Sequence, residues 1–429
     1  MQILPGLPWI FKALGSLGII LLINNLAKNL TLSVTLGALT LAILSGHSFI
    51  DIFNIASDCL FSMNHILLLI VIAQVYWLSN QMAKTGVMQD LVSLIQSKLS
   101  SRISMAVLPA VIGFLPVPGG SLFSAPLVDN CDPESHLEPP LKSVINYWYR
   151  HVWEYWWPLY PGVLLAMDIT GLNTPQFLIF GLPLSLTAII TGYIFFLRRV
   201  PKDNIMRGKK EGSLKRFLLL ISPIIIIIGI NTLVQSFFPK IAQYNRYIPI
   251  SLGIIVATVF LQILRPLDLK IWPQMIFEKK IYSLLLQVSM IRVYAAFIEA
   301  KLPCGTPLVA KISEELYAFG IPLTIMIMLL PFISALTSGL AMGFVGPSFP
   351  IVISLLGENP GPSKLYSTLI LAYGFGLMGM MLSPVHVCQT VSNEYFETKL
   401  TQSIPLIFKP AIVVMLFSIL FHLLFRFLI

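Results

Sequence analysis

From Leu316 to Gly357 the chain runs for 42 residues without a lysine, arginine, aspartate or glutamate. About 20 apolar helical residues cross a bilayer core, so this stretch holds enough chain for two crossings. Its middle, PFISALTSGLAMGFVGPSFP, is too rich in glycine and proline for one straight helix. Inside a helix, proline costs about 3 kcal/mol and glycine about 1 kcal/mol. Broken backbone at membrane depth survives only where it is buried in protein or lines a wet cavity. A second uncharged stretch, 103–128 (ISMAVLPAVIGFLPVPGGSLFSAPLV), has the same character through Pro109, Pro116, Pro118, Pro126, Gly113, Gly119 and Gly120. Both read as re-entrant hairpins, one near 103–128 and one near 321–352.

The rest of the chain fits that setting. Of 429 residues, 56% are hydrophobic and 11% charged, against about 25% charged in a soluble domain. The fold class expected is an all-α polytopic membrane protein. A β-barrel would show short alternating segments instead of long apolar runs. Spans are expected near 8–27, 31–46, 63–80, 145–170, 174–197, 217–238, 247–264, 281–300, 365–392 and 404–428. The N-terminus lacks a basic region and a cleavage site, so it reads as the first span rather than a removed signal. The net charge of +9 is assigned to cytoplasmic loops, not to nucleic-acid binding. Cys59, Cys131, Cys304 and Cys388 form no CxxC pair, and no His/Cys group has zinc-like spacing, so no metal site is expected. The cysteines read as packing residues.

The chain divides into two related halves, 1–197 and 217–429, joined by a basic linker, 198–216. Leu108-Pro109 opens the first hairpin and Leu330-Pro331 the second, and Tyr147 with Pro158 matches Tyr373 with Pro384 at the same eleven-residue spacing. Five crossings per half would invert the second copy relative to the first. The linker carries eight Lys/Arg against Asp203 and Glu211, which assigns it to the cytoplasm and both termini to the outside. Were each hairpin to cross fully, there would be twelve spans and both termini would lie inside.

Inverted halves with broken helices point to a binding site near the bilayer midplane. Half-helices ending inside the membrane present N–H groups to anions and carbonyls to cations. In the first tip, Pro118, Gly119 and Gly120 allow close backbone approach, and Ser121 and Ser124 add hydroxyls. In the second, Ser334, Thr337, Ser338 and Gly339 play the same part. The competing reading is close helix packing through small residues. In the span 145–170, Arg150 is a cation for an anionic solute. Glu154, at i+4, can neutralise it when solute is absent, and His151 can titrate near neutral pH, which gives a route to proton coupling. The alternative there is an interfacial girdle of Trp148, Trp153, Trp156 and Trp157 with Arg150 snorkelling. In the matching span, Pro384 breaks the helix beside Ser383, His386 and Thr390, assigned to ion coupling. A lone His386 is equally a satisfied core histidine. Asp168, Arg292 and Glu299 lie near span ends and read as snorkelling charges.

The segments LPAVIGFLPVPGGSLFSAPLVD, NYWYRHVWEYWWP and SPVHVCQTVSNEYF resemble an uncharacterised prokaryotic family of ten-span membrane proteins. That family is grouped with the ion transporter superfamily of dicarboxylate, citrate, gluconate and arsenite carriers. The resemblance implies two inverted repeats of five transmembrane helices, each with a re-entrant hairpin and a broken helix, with ligand held at hairpin tips and unwound loops. The tips here read PVPGGS and SALTSG, without the Ser-Asn-Thr motif of the sodium-coupled dicarboxylate carriers.

The expectation is an ion-coupled secondary transporter of a small anionic solute in the plasma (inner) membrane. Its partners are the lipid bilayer and that solute, with a homodimer left open. No cofactor is expected beyond a coupling Na+ or H+. There is no GxxxxGK[ST], which argues against a nucleotide-driven pump, and no HExxH or GxSxG, which argues against an intramembrane enzyme. An ion channel is the main alternative.

Overall fold

The computed structural model describes residues 6–96, 99–114, 120–134, 136–201, 214–320, 322–357 and 360–428. These residues form α-helices and no β-sheet. The first half holds α1 (Trp9–Ala27), α2 (Leu30–Leu44), α3 (Phe49–Leu60), α4 (Met63–Lys84), α5 (Val87–Gln96), α6 (Ser101–Gly113), α7 (Gly120–Asp129), α8 (Pro139–Arg150), α9 (Pro161–Thr170) and α10 (Thr174–Phe195). The second holds α11 (Leu214–Leu220), α12 (Ser222–Phe237), α13 (Pro239–Tyr244), α14 (Tyr247–Leu264), α15 (Ile271–Ile276), α16 (Lys279–Glu299), α17 (Leu308–Ala318), α18 (Leu323–Ser338), α19 (Ala341–Ser354), α20 (Pro362–Met381), α21 (Val387–Tyr395) and α22 (Leu400–Leu428). Most of linker 198–216 lies outside the described residues.

Among the described residues, six helical stretches are long and apolar enough to cross a membrane: Trp9–Ala27, Met63–Lys84, Thr174–Arg199, Tyr247–Leu264, Ile271–Glu299 and Leu400–Arg426. The other four expected spans are shorter or interrupted. α2 has 15 residues. The uncharged run 217–238 is divided between α11 and α12 at Ile221, where Pro223 brings no N–H to continue the ladder. The spans 145–170 and 365–392 break as expected. The first is open from His151 to Tyr160, between α8 and α9, and the second from Leu382 to His386, between α20 and α21.

Five segments expected as loops hold helix: α3 within 46–62, α5 within 81–102, α13 within 239–246, α15 within 265–280 and α17 within 301–320. α3 shows why. Ser48 Oγ accepts from the Asp51 N–H at 3.2 Å, and the Asp51 carboxylate accepts from the Ser48 N–H at 3.0 Å. This reciprocal pair starts a helix on its own. The exposed Phe49, Ile50 and Phe53 then give α3 an apolar face.

Packing neighbours repeat between the halves. α1 packs on α2 as α12 does on α14, and α2 packs on α16 as α14 does on α4. In the hairpin stretches, α6 packs on α7 and α8, while α18 packs on α19 and α20. The second arms cross over, with α7 against α21 and α19 against α9. Each broken helix therefore has its second segment clasped by the hairpin of the opposite half, and both breaks face one centre.

Small residues make that approach possible. A Cβ on Gly379 of α20 would strike the Phe332 carbonyl of α18, and one on Gly113 of α6 would strike the Arg150 carbonyl of α8. Gly339, at φ 63°, turns α18 into α19 and sits against the His386 backbone, where a Cβ would lie 2.9 Å from its nitrogen. Only glycine takes this conformation without cost.

Candidate functional site

The chain 151–160 is not a disordered gap. It is a series of turns whose aromatic donors cap the end of α6. Proline and helix termination leave α6 with unpaired carbonyls, each costing about 1–3 kcal/mol if buried unpaired. Trp153 Nε1 donates to the Ala110 carbonyl at 2.6 Å, Trp157 Nε1 to that of Phe114 at 3.0 Å, and the Tyr160 hydroxyl to that of Gly113. Trp148 Nε1 donates to the Ala188 carbonyl on α10 at 2.9 Å. Trp148 and Trp157 are fully buried and Trp153 and Trp156 half-buried. Trp148, Trp153 and Trp157 are thus structural donors inside the protein, and Arg150, 4% exposed, does not snorkel.

Their turns place Arg150, His151 and Glu154 on a cavity of about 460 Å³ that also receives His386 and Cys388 from the second break. His151 Nδ1 lies 2.6 Å from the Tyr147 carbonyl. A carbonyl only accepts, so Nδ1 carries the proton and Nε2 is left with its lone pair. His151 Nε2 lies 3.1 Å from His386 Nε2 and 3.8 Å from the Glu154 carboxylate. The Cys388 sulfur is within 4.8 Å of both histidine nitrogens. His151 of the first half and His386 of the second form a pair across the halves.

Three helix N-termini open on the same cavity. Tyr160, Pro161 and Gly162 begin α9; Leu340, Ala341 and Met342 begin α19; His386 and Cys388 begin α21. None of the three helices has a side-chain cap on its first N–H groups. Each carries about half a positive charge at that end. Arg150 adds a full one, and Lys280 of α16 another, against Glu154 as the acid among the lining residues. The balance favours a bound anion.

Other expected site residues act as supports. Gly120 makes room for Arg150, since a Cβ there would strike the guanidinium. Ser124 Oγ bonds carbonyls of its own helix, and the Ser121 carbonyl accepts from Asn146 Nδ2 at 3.1 Å. Thr337 and Ser338 bond back along α18. Ser334 is fully buried within α18. Ser383 Oγ donates to the Leu336 carbonyl at 2.7 Å, tying the second break to the end of α18. Thr390 Oγ1 donates to the His386 carbonyl. Gly339 touches the His386 backbone rather than the cavity. Pro118 and Gly119 lie outside the described residues.

Sequence reasoning missed two features. One is Cys388, read as packing, although it stands two residues from His386 at a helix start. The other is a buried polar chain joining α7, α8, α21 and α22. Asn146 Nδ2 donates to Ser392 Oγ at 2.5 Å, Ser143 Oγ to Asn393 Oδ1 at 2.6 Å, and Asn393 Nδ2 to Ser403 Oγ at 3.0 Å. Asp168 and Arg292 also differ from expectation. They pair at 2.8 Å, and Tyr247 donates to Asp168 at 2.6 Å, so α9, α14 and α16 are pinned together instead of presenting snorkelling charges.

Residues 11–425 match the family described as protein of unknown function, DUF401. The chain belongs to the DUF401 family. No curated protein matches it. The match covers nearly the whole chain, so both breaks and both hairpin stretches fall inside the DUF401 region.

Proposed function

We propose that this DUF401 protein is a secondary active transporter of a small anionic solute, a carboxylate, sugar acid or oxyanion. It works by alternating access and is driven by a proton or sodium gradient. The observation that carries this reading is the convergence of three uncapped helix N-termini and the buried Arg150 on one cavity. Desolvating an anion costs several kcal/mol, and such an arrangement offsets it. A cavity of about 460 Å³ suits a small metabolite.

In this reading the halves are inverted repeats of five crossings each, the α6–α7 and α18–α19 pairs are re-entrant, and the fold is that of the ion transporter superfamily. The exchange of packing partners between halves supports it. So does a second cavity of about 820 Å³ at the far end of α4 and α16, lined by Asp58, Arg292 and Glu299. The anion cavity lies towards Lys280, in the stretch 265–280 whose Arg265, Lys270, Lys279 and Lys280 assign that end to the cytoplasm. The anion cavity then faces inward, and the Asp168–Arg292 pair stands at the outer cavity, which Arg292 lines.

The test is a thermal-shift screen of purified protein against carboxylates, sugar acids and oxyanions, with and without sodium. A ligand at one hundred times Kd stabilises by about 2.7 kcal/mol. An anion that stabilises wild type but not Arg150→Met supports the reading. Stabilisation by cations or neutral solutes alone, or single-channel currents from reconstituted protein, overturns it.

A further inference from the structure

We propose that His151, His386 and Cys388 form a binding site for one soft divalent transition-metal ion of the zinc class, in the wall of the anion cavity. The donors are 235 residues apart along the chain across the histidine pair, so no sequence spacing reveals them. In space the three ligand atoms lie within 4.8 Å of one another.

The geometry suits such an ion. With Zn–N of about 2.0–2.1 Å and Zn–S of about 2.3 Å, tetrahedral ligation puts the two nitrogens roughly 3.3 Å apart and nitrogen and sulfur roughly 3.6 Å apart. The two Nε2 atoms are already 3.1 Å apart. Cys388 Sγ, within 4.8 Å of both donors, has no more than about 1.2 Å to close, which rotation of its side chain can supply. The Tyr147 carbonyl holds the His151 Nδ1 proton at 2.6 Å, the arrangement that orients metal-binding imidazoles and leaves Nε2 to the ion. With the His151 Nε2 lone pair facing it at 3.1 Å, His386 Nε2 is the donor in the metal-free site, and metal binding moves that proton to His386 Nδ1, which makes no hydrogen bond that would have to break. Two imidazoles and a thiol are the donors that zinc and its neighbours prefer over magnesium or calcium.

The charges close without another reactant. The ion binds Cys388 as thiolate and its proton goes to solvent. The bound site then carries the ion, the thiolate, Arg150 and Glu154. Three protein ligands leave a fourth position facing the cavity. It is open to water, to the Glu154 carboxylate 3.8 Å from His151 Nε2, or to an anionic solute. Because the ligands come from both breaks, the ion would tie the two halves together. That consequence rests on the transport reading; the binding does not.

The test uses full-length, reduced protein in detergent and cobalt(II) as a spectroscopic probe, followed by competition with zinc. One equivalent of cobalt should bind with a sulfur-to-metal charge-transfer band, and zinc should bleach it. Cys388→Ser should abolish the band, His386→Gln should weaken binding by more than about tenfold, and Cys304→Ser, at an exposed thiol, should leave it intact. X-ray absorption of the zinc-loaded wild type should count one sulfur and two imidazole nitrogens, which needs no variant to fold. Absence of the band in fully reduced protein, its survival in Cys388→Ser, or an all-oxygen shell by X-ray absorption would each overturn the proposal, and none of these bears on whether the protein moves an anion.

Discussion

Gly120 and Gly113 both touch Arg150, and they should fail in opposite ways. A methyl group at Gly120 falls on the Arg150 guanidinium, with Cζ 2.6 Å and Nε 3.1 Å away. These atoms end a flexible side chain, so Gly120→Ala can be accommodated by swinging the guanidinium aside. Alanine is favoured over glycine in a helix by up to about 1 kcal/mol, so the variant should stay within about 1 kcal/mol of wild-type stability. The displaced fork then loses the anion. Hydrogen bonds to charged groups contribute about 1.5–3 kcal/mol, and 1.4 kcal/mol is tenfold in Kd. Affinity should drop about 10- to 150-fold. At Gly113 the methyl group meets backbone, the Arg150 carbonyl, with its carbon 3.1 Å and Cα 3.3 Å away. Backbone cannot swing aside, and overpacking costs about 1–3 kcal/mol. Gly113→Ala should lower Tm while leaving the affinity of the folded fraction near wild type. The assay is Tm and isothermal binding of the first stabilising anion for both variants. If Gly120→Ala binds like wild type, or unfolds as readily as Gly113→Ala, Arg150 is not held over the cavity as described.

The other predictions are structural. Trp157→Phe removes the donor to the Phe114 carbonyl and should cost about 1–3 kcal/mol in detergent denaturation; an unchanged Tm would return the tryptophans to a lipid-facing role. Gly339→Ala meets both a left-handed φ and the His386 backbone. It should cost at least about 1–2 kcal/mol, and a neutral variant would mean the α18–α19 turn does not seat against the second break. Breaking the Asp168–Arg292 pair with Asp168→Asn should cost about 3–5 kcal/mol if the pair is buried in the membrane, with little further loss in the double variant Asp168→Asn/Arg292→Met; additive losses would refute the pairing. A reporter active only in the cytoplasm should be silent when fused after Ile429, and activity there would favour twelve crossings over ten.

The sequence was most legible where one residue type has one physical consequence. Prolines placed both breaks, and the missing charge in 103–128 and 316–357 located both hairpin stretches. The lone His386 and the Arg150–His151–Glu154 group were visible because ionisable residues are scarce in apolar runs. Pairwise relations were not legible. Nothing local says that His151 meets His386, that Asp168 meets Arg292, or that Asn146 reaches Ser392, because each partner lies on a helix far along the chain. The hydroxyls of Ser124, Thr337 and Ser338 have partners of a kind the sequence does not announce. In a helix, such groups bond the carbonyl one turn back, as these three do. At Gly120 the space beside the backbone is filled by the Arg150 side chain from another helix, which only tertiary structure reveals.

The central claim is movement of an anion past Arg150. The direct measurement is uptake of radiolabelled anion into sealed proteoliposomes, with the first stabilising anion from the screen inside as counter-substrate. The account predicts saturable, wild-type-dependent uptake that accelerates with internal anion. Arg150→Met should lose it, and Trp157→Phe at a temperature where that variant is folded should retain it. Equal uptake by wild type and Arg150→Met, or uptake linear in concentration and indifferent to internal anion, would contradict it.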